Sequence, residues 1–316
     1  MAEVVKVKVN LEINSYNAML EDVKLFKFYK ADNTPNKNQF FNQLLVNYGP
    51  LYEKEYLNAF KKINKIIKDD KKTSLVLADL EALKADSCNN YFVNDLTFMV
   101  LKNNVDYYQK LANNLNNISA SKLFRNLLLS YENNPAYIRE RYLFKDKFDL
   151  IIKSIELKKR IMISVNGQNH HFSPYKLDIN NEKKHNYVIG INDDKGKIRS
   201  YMLSDIKKIE ILDEEVAFSK EMMALLDKNI LNGINYPFDK EYQVGIMFSN
   251  NAVKMFENNV INRPEPLSVN GNMYTFSCSF TQLKNYFFAF GSEIVVYGKR
   301  LKKELKDEYK KAFETE

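Results

Sequence analysis

Three tyrosines, Tyr175, Tyr187 and Tyr201, fall on successive apolar/polar alternating stretches between Arg160 and Ile209. Arg160, Lys176, Arg199 and Lys207 are interleaved with them. Aromatic faces stack unpaired bases at about 1–3 kcal/mol each, while cations follow the phosphates. Arginine can do both. His171, just ahead of Phe172-Ser173-Pro174-Tyr175, adds a polar contact. The chemistry on offer is the binding of a single-stranded, anionic polymer. The same residue types also suit a half-buried tyrosine with its hydroxyl in water and a solvated lysine, and the spacing alone leaves both readings open.

A second set lies near the beginning of the sequence. Lys6, Lys8, Asn10 and Glu12 occupy one parity of the stretch Val4–Ile13, opposite Val5, Val7, Val9 and Leu11. That is the pattern of a half-buried strand. A similar stretch, Leu96–Leu101, would expose only Asp95, Thr97 and Met99 if Leu96, Phe98 and Val100 are buried. One basic strand beside one nearly neutral strand is poorly suited to a palindromic duplex site. Lys37, Asn38, Ser121 and Lys122 stand at the starts of predicted helices, where backbone N–H groups and the helix dipole favour phosphate.

Bond-breaking chemistry lacks its parts. With nine glycines there is neither a G-x-x-x-x-G-K-[ST] nor a G-x-G-x-x-G phosphate cradle. No arginine is followed five positions later by histidine, and G-x-S-x-G and H-E-x-x-H do not occur. The histidines are His170, His171 and His185, without spacing for a metal. Acidic pairs such as Asp193-Asp194 and Glu214-Glu215 read as solvated turns. The expectation is a protein that is not an enzyme and that carries no cofactor and no metal.

The net charge of +7 and the pI of about 9.0 favour an anionic partner, although a lysine-rich solvated surface has the same composition. Cys88 and Cys278, far apart and without ligand-type neighbours, read as buried thiols in a reduced compartment. No stretch approaches the apolar length of a membrane span, and no export signal is visible. The chain reads as soluble and cytoplasmic.

The elements that must position these residues are legible in outline. The first fifty residues read strand, helix, turn, helix: Asn14 or Ser15 caps the first helix, and Gly49-Pro50 ends the second. The order recurs from Leu96 to about Tyr131, and Gln39–Tyr48 aligns with Lys122–Tyr131 in its apolar positions and final tyrosine. A degenerate internal repeat is one reading, and two unrelated leucine-rich helices is the other. Tyr52–Lys72 is predicted as a connecting helix and Lys145–Lys159 as a helix leading into an all-β unit. The remainder reads helix (Ala217–Leu231), strand (Tyr242–Phe248), helix (Asn251–Val260), strand (Tyr274–Phe280), helix (Gln282–Phe290), strand (Ile294–Tyr297) and helix (Lys299–Phe313).

On these residues the segment Arg160–Ile209 resembles a WYL domain. Asn186-Tyr187-Val188 stands at the naming run, Pro174-Tyr175-Lys176-Leu177 at the proline turn, and Arg199-Ser200-Tyr201-Met202-Leu203-Ser204-Asp205-Ile206 at the arginine-rich segment, where only the first arginine is kept. Phe287–Val296 resembles the extension that follows WYL domains in bacterial regulators, a dimerisation module. The opening strand–helix–helix resembles a ribbon-helix-helix.

The resemblances imply a multidomain α+β chain. Residues 1–145 would hold two degenerate ribbon-helix-helix copies at about 4–50 and 95–135; 146–215 would be a five-stranded SH3/Sm-like WYL β-barrel with its leading helix; 216–316 would be a ferredoxin-like dimerisation domain. This order is similar to that of the accessory proteins of type VI-D CRISPR systems. That likeness implies a homodimer that binds single-stranded RNA and stimulates an RNA-guided ribonuclease effector. The alternative is a WYL-type transcription regulator that binds duplex DNA through the ribbon and an effector through the barrel. A pure protein-interaction scaffold is a third class.

Overall fold

The computed structural model describes residues 3–85, 92–114 and 120–314, and the chain divides into two units, 1–148 and 149–316. It is a mixed α+β protein with three sheets among the described residues. Cys88 and the segment around residue 118 lie outside the described residues, as does the side chain of Asp95.

In the first unit, β1 (Val4–Glu12) and β2 (Phe92–Leu101) pair antiparallel as a two-stranded ribbon within one chain. Each is followed by two helices: α1 (Ile13–Leu25) and α2 (Lys37–Asn47) after β1, α5 (Lys102–Asn114) and α6 (Ala120–Glu132) after β2. Between the two segments run α3 (Gly49–Ile67) and α4 (Asp70–Ala85). After them comes α7 (Ala136–Leu143), and α8 (Lys145–Glu156) runs from the end of the first unit into the second.

The alternation of β1 puts Val9 and Leu11 at 0% exposure, and that of β2 buries Phe98 and Val100. The core helices bring Phe40, Phe41, Leu44, Leu123, Phe124 and Leu127 to the same core, all fully buried. Phe41 stacks on Phe98 at 4.4 Å and meets Phe124 edge to face at 5.5 Å. Phe41 and Phe124, paired by aligning the two leucine-rich helices, are therefore neighbours in space. A two-stranded ribbon leaves unpaired edges. On β2 that edge is closed by α2: Asn38 Oδ1 accepts from the Met99 N–H at 3.1 Å, and Asn42 both donates to the Met99 carbonyl at 2.8 Å and accepts from the Leu101 N–H at 3.0 Å.

Four local expectations are corrected. Glu12 is buried rather than outward, because the register slips between Val9 and Leu11 and the strand turns into the core there. The first helix begins at Ile13, so neither Asn14 nor Ser15 caps it, and Ser15 is buried. Gly49-Pro50 follows the end of α2 as expected but also opens α3, so the connecting helix starts before Tyr52, with proline in the first turn where its missing N–H costs nothing. The connecting helix breaks at Lys68, which takes left-handed φ 55°, and α7 was not foreseen.

The second unit begins with a five-stranded antiparallel sheet in the order β6-β5-β4-β3-β7. The strands are β3 (Lys159–Val165), β4 (Gln168–Ile179), β5 (Asn186–Asn192), β6 (Lys197–Met202) and β7 (Ile206–Glu215). Only the 3₁₀ turn Leu203–Asp205 separates β6 from β7, which lie on opposite edges. So short a link forces the sheet to curl, since each residue spans at most about 3.6 Å. No ladder joins β6 to β7 among the described residues, so the sheet is curled and open where a closed barrel was expected. Gly190 permits the curl: a Cβ there would sit 2.1 Å from the Ser173 carbonyl oxygen.

Helix α9 (Lys220–Gly233), capped by Ser219, packs Leu226 against Ile189 and Ile198 of this sheet. The chain then forms a four-stranded antiparallel sheet in the order β11-β8-β10-β9. Its elements are β8 (Tyr242–Phe248), α10 (Asn250–Asn258), β9 (Pro266–Asn270), β10 (Met273–Cys278), α11 (Phe280–Phe287), β11 (Ile294–Val296) and α12 (Lys299–Glu314). Strand β9 was missed, because Pro266 and its polar neighbours mask an edge strand. Phe280 opens α11 rather than closing β10. Phe248, Phe256, Phe276, Phe287 and Phe290 form the core, together with Cys278, whose thiol burial pushes up to about 12.

Candidate nucleic-acid interface

On the ribbon, Lys6, Lys8 and Asn10 are exposed. Lys6 stands opposite Met99 and Lys8 opposite Thr97, so the outward face is basic along one strand. The helix-start residues behave differently. Asn38 is spent on the β2 edge. The Lys37 ammonium donates to the Tyr16 hydroxyl at 3.2 Å and lies 5.3 Å from that ring's centre. Ser121 and Lys122 are half-buried in the first turn of α6. Asn36, not Asn38, caps α2, accepting from the Gln39 N–H at 3.1 Å.

On the curled sheet the eight candidates do not share one face. Tyr175 and Tyr187 pack on the cluster formed by Ile189, Ile198, Leu226 and Ile234, so their side of the sheet is largely covered by α9. Tyr175 also meets Phe218 edge to face at 5.4 Å and donates its hydroxyl to Asp227 at 3.0 Å. Burial first, and the Asp227 carboxylate second, raise its pKa. Beside it is a cavity of about 610 Å³ lined by Leu157, Pro174, Phe218 and Met223. Tyr201 lies on the other face: it meets Phe172 edge to face at 5.2 Å, stacks near His170 at 6.0 Å, and accepts from Asn192 at 2.8 Å. The single basic, tri-tyrosine face expected from spacing is therefore divided. Alternation assigns residues to sides, but a helix some forty residues downstream decides which side is open.

Arg160, His171, Lys176 and Arg199 have acidic neighbours, of which Asp193 and Asp194 were expected in a solvated turn. Arg160 Nε lies 3.2 Å from Asp193, which also accepts from the Ser173 hydroxyl. His171 Nδ1 lies 2.9 Å from Asp194, whose other oxygen accepts the His171 N–H at 3.1 Å. The His171 hydrogen bond holds the Asp194 carboxyl below the usual carboxylate range. Lys176 pairs with Asp178 at 3.3 Å. Arg199 donates to the Ile198 carbonyl at 2.7 Å and lies 4.0 Å from Asp239. Lys207 is exposed. Pairs of this exposure contribute about 0–1 kcal/mol, so a phosphate can displace the aspartate, but each one weakens the field that would attract it. The missed signal was the Asp193-Asp194 turn, which follows β5 and lands beside the β3–β4 hairpin.

Among the described residues no group of three or more His, Cys, Asp or Glu is placed to hold a metal ion, and no helix is long and apolar enough to cross a membrane.

No family model matches the chain, and no curated protein matches it in sequence. Among solved structures it is similar to one described as the crystal structure of a CRISPR Cas-related protein. The likeness covers 99% of this chain and 94% of that one, with a TM-score of 0.74 and 16% identity. At that identity the likeness is one of fold, and it extends over essentially the whole chain. Proteasome accessory factor B/C (PafBC) of Arthrobacter aurescens aligns with 96% of this chain and 49% of that one at a TM-score of 0.27 and 10% identity, which carries no argument.

Proposed function

We propose that this chain is a non-enzymatic, nucleic-acid-binding accessory protein of an RNA-guided system. In this reading it binds single-stranded RNA and stimulates a type VI-D CRISPR ribonuclease, acting as a homodimer. The observation that carries the reading is the end-to-end likeness in fold to a CRISPR Cas-related protein. The finer assignments rest on the sequence resemblances: a ribbon-helix-helix-like opening of two degenerate copies, a WYL-like sheet, and a ferredoxin-like extension for dimerisation. The strand order β11-β8-β10-β9 within a β-α-β-β-α-β run supports the last of these. The one-sided charge of the ribbon supports phosphate tracking over palindrome reading. Lys6, Lys8 and Lys207 are the contacts best exposed for it, with Arg160, Arg199 and Tyr201 available once their present partners are displaced.

The pairing of β1 with β2 favours a second reading, a regulator that inserts the ribbon into the major groove of duplex DNA. A filter-binding titration of matched single-stranded RNA and duplex DNA at two salt concentrations separates the two. Tighter, salt-sensitive binding of the single strand supports the accessory reading, and preference for the duplex supports the regulator. Adding the chain to a reconstituted type VI-D effector then tests stimulation, and an unchanged cleavage rate removes that role.

A further inference from the structure

In the first unit a cavity of about 290 Å³, open to solvent, lies between α2–α3 and α6–α7, lined in part by Tyr48, Tyr52, Tyr142, Glu55, Ser130 and Asn133. Tyr48 and Tyr142 lie with ring centres 4.7 Å apart, inclined at 33°. The Tyr48 hydroxyl is fixed against Ser130 Oγ at 2.8 Å. Glu55 is exposed and, among the described residues, supplies the only charge in the lining: no lysine, arginine or histidine borders the cavity. In a chain with 47 Lys and Arg that composition singles the cavity out. The carboxylate also acts on the walls. Burial pushes the Tyr48 hydroxyl up to about 12, with Glu55 adding to the rise, and the Tyr142 hydroxyl is raised by burial and then by Glu55.

The ligand class follows from what the walls can accept. An anion would meet Glu55 and find no cationic donor. A neutral apolar group would offer nothing for the Glu55 carboxylate to pair with. A donor-rich cation pairs with the carboxylate, donates to the oxygen acceptors, and lies beside electron-rich rings. We propose that this cavity is a binding site for an organic cation, an alkyl ammonium or guanidinium group, with Glu55 as its ion-pair partner and the tyrosines as its walls. The group can arrive on a free amine or on a lysine or arginine side chain of a protein partner. The proposal is independent of the nucleic-acid reading.

The test is calorimetric titration of the full chain with spermidine, with N-acetyl-arginine amide, with its neutral isostere N-acetyl-citrulline amide, and with guanosine. Saturable binding of a cation is expected, with citrulline weaker than arginine by about two- to fivefold and a similar loss in Glu55→Gln. Glu55→Asp should retain most of the affinity, and as Glu55 is exposed these variants should keep the wild-type melting temperature. Preference for spermidine marks a free amine as the source, and preference for the capped arginine marks a side chain. Equal affinity for citrulline, unchanged binding by Glu55→Gln, no binding of either cation at millimolar concentration, or tighter binding of guanosine than of either cation would overturn the proposal.

Discussion

Tyr48 and Tyr131 meet edge to face, with ring centres 5.9 Å apart and planes inclined at 64°. Tyr48 closes α2 and Tyr131 lies near the end of α6, so the contact joins two helices that follow different strands of the ribbon. The Tyr131 hydroxyl continues into a buried charge cluster, donating to Asp22 Oδ2 at 2.8 Å. Arg139 grips the same carboxylate with two bonds of 2.7 Å, and its remaining guanidinium nitrogen donates to the Asn134 carbonyl. Tyr131→Phe keeps the ring contact and deletes one donor to a buried anion. It should lower stability by about 1–3 kcal/mol, read as a shift of the urea midpoint at unchanged slope. Arg139→Ala leaves Asp22 buried without its counter-charge and should cost about 3–5 kcal/mol.

The same cluster makes stability depend on pH. Glu132 is pushed up to about 8, chiefly by burial, with Asp22 and Glu12 adding to the rise while Ser15 and Arg139 oppose it. Unfolding returns it to an ordinary carboxyl, so the native state holds a proton that the unfolded chain has released over the interval between the two values. Stability contributed by this group is full below the unfolded pKa and declines as pH rises toward 8. Glu132→Gln should flatten that decline, so that the melting temperature of the variant gains on wild type between pH 5 and 9. Parallel curves for the two proteins would contradict this.

Asn42 makes two hydrogen bonds to the edge of β2. Asn42→Ala should leave the Leu101 amide without its acceptor and raise its hydrogen-exchange rate, while amides inside the ribbon ladder stay protected. Uniform deprotection would mean that the asparagine supports the whole unit instead of one edge.

On the curled sheet, Gly190→Ala sets a methyl carbon against the Ser173 carbonyl, with the Phe172 ring at 2.9 Å. Backbone cannot yield as a flexible side chain would, so the expected loss is about 1–3 kcal/mol or more. Gly167 has open space where a Cβ would stand but takes φ 76°, so it should respond through backbone strain alone. Thermal melts of the two variants distinguish the mechanisms: Gly167→Asn should be tolerated and Gly190→Asn should not.

Lys6→Ala with Lys8→Ala removes two exposed cations from the ribbon. Under the nucleic-acid reading the affinity should fall without a change of preferred sequence, and the salt slope should decrease by about 2. An unchanged slope would exclude the ribbon from the interface.

Much of this fold was legible because period-two and period-3.6 patterns are local. Val9 and Leu11 announce a strand, and Leu123, Phe124, Leu127 and Leu128 announce a helix face. Pairing of the two distant ribbon strands could be anticipated only through the likeness to a ribbon-helix-helix, which needs two antiparallel strands. What could not be read is whatever depends on distant neighbours. Tyr175 and Tyr187 look like open aromatic faces until Leu226 arrives from α9. Asn38 looks like a phosphate contact until the Met99 amide claims it. Asp193 and Asp194 look like solvated turn residues until the hairpin brings Arg160 and His171 to them. Periodicity also gave no warning of Glu12, which one slip in register moves from water to the core.

The ribbon also sets a schedule for synthesis. Strand β1 emerges well before β2, with which Val4 to Glu12 must pair. At about 5–20 residues per second, translation leaves it unpartnered for roughly 5–20 s. Throughout that interval Val4, Val5, Val7 and Val9 form an apolar β-prone stretch that other nascent chains could extend. Lys6 and Lys8, alternating with those valines, put like charge into any such sheet and oppose its growth. Whatever they touch in the finished molecule, these two lysines also guard the strand while it waits.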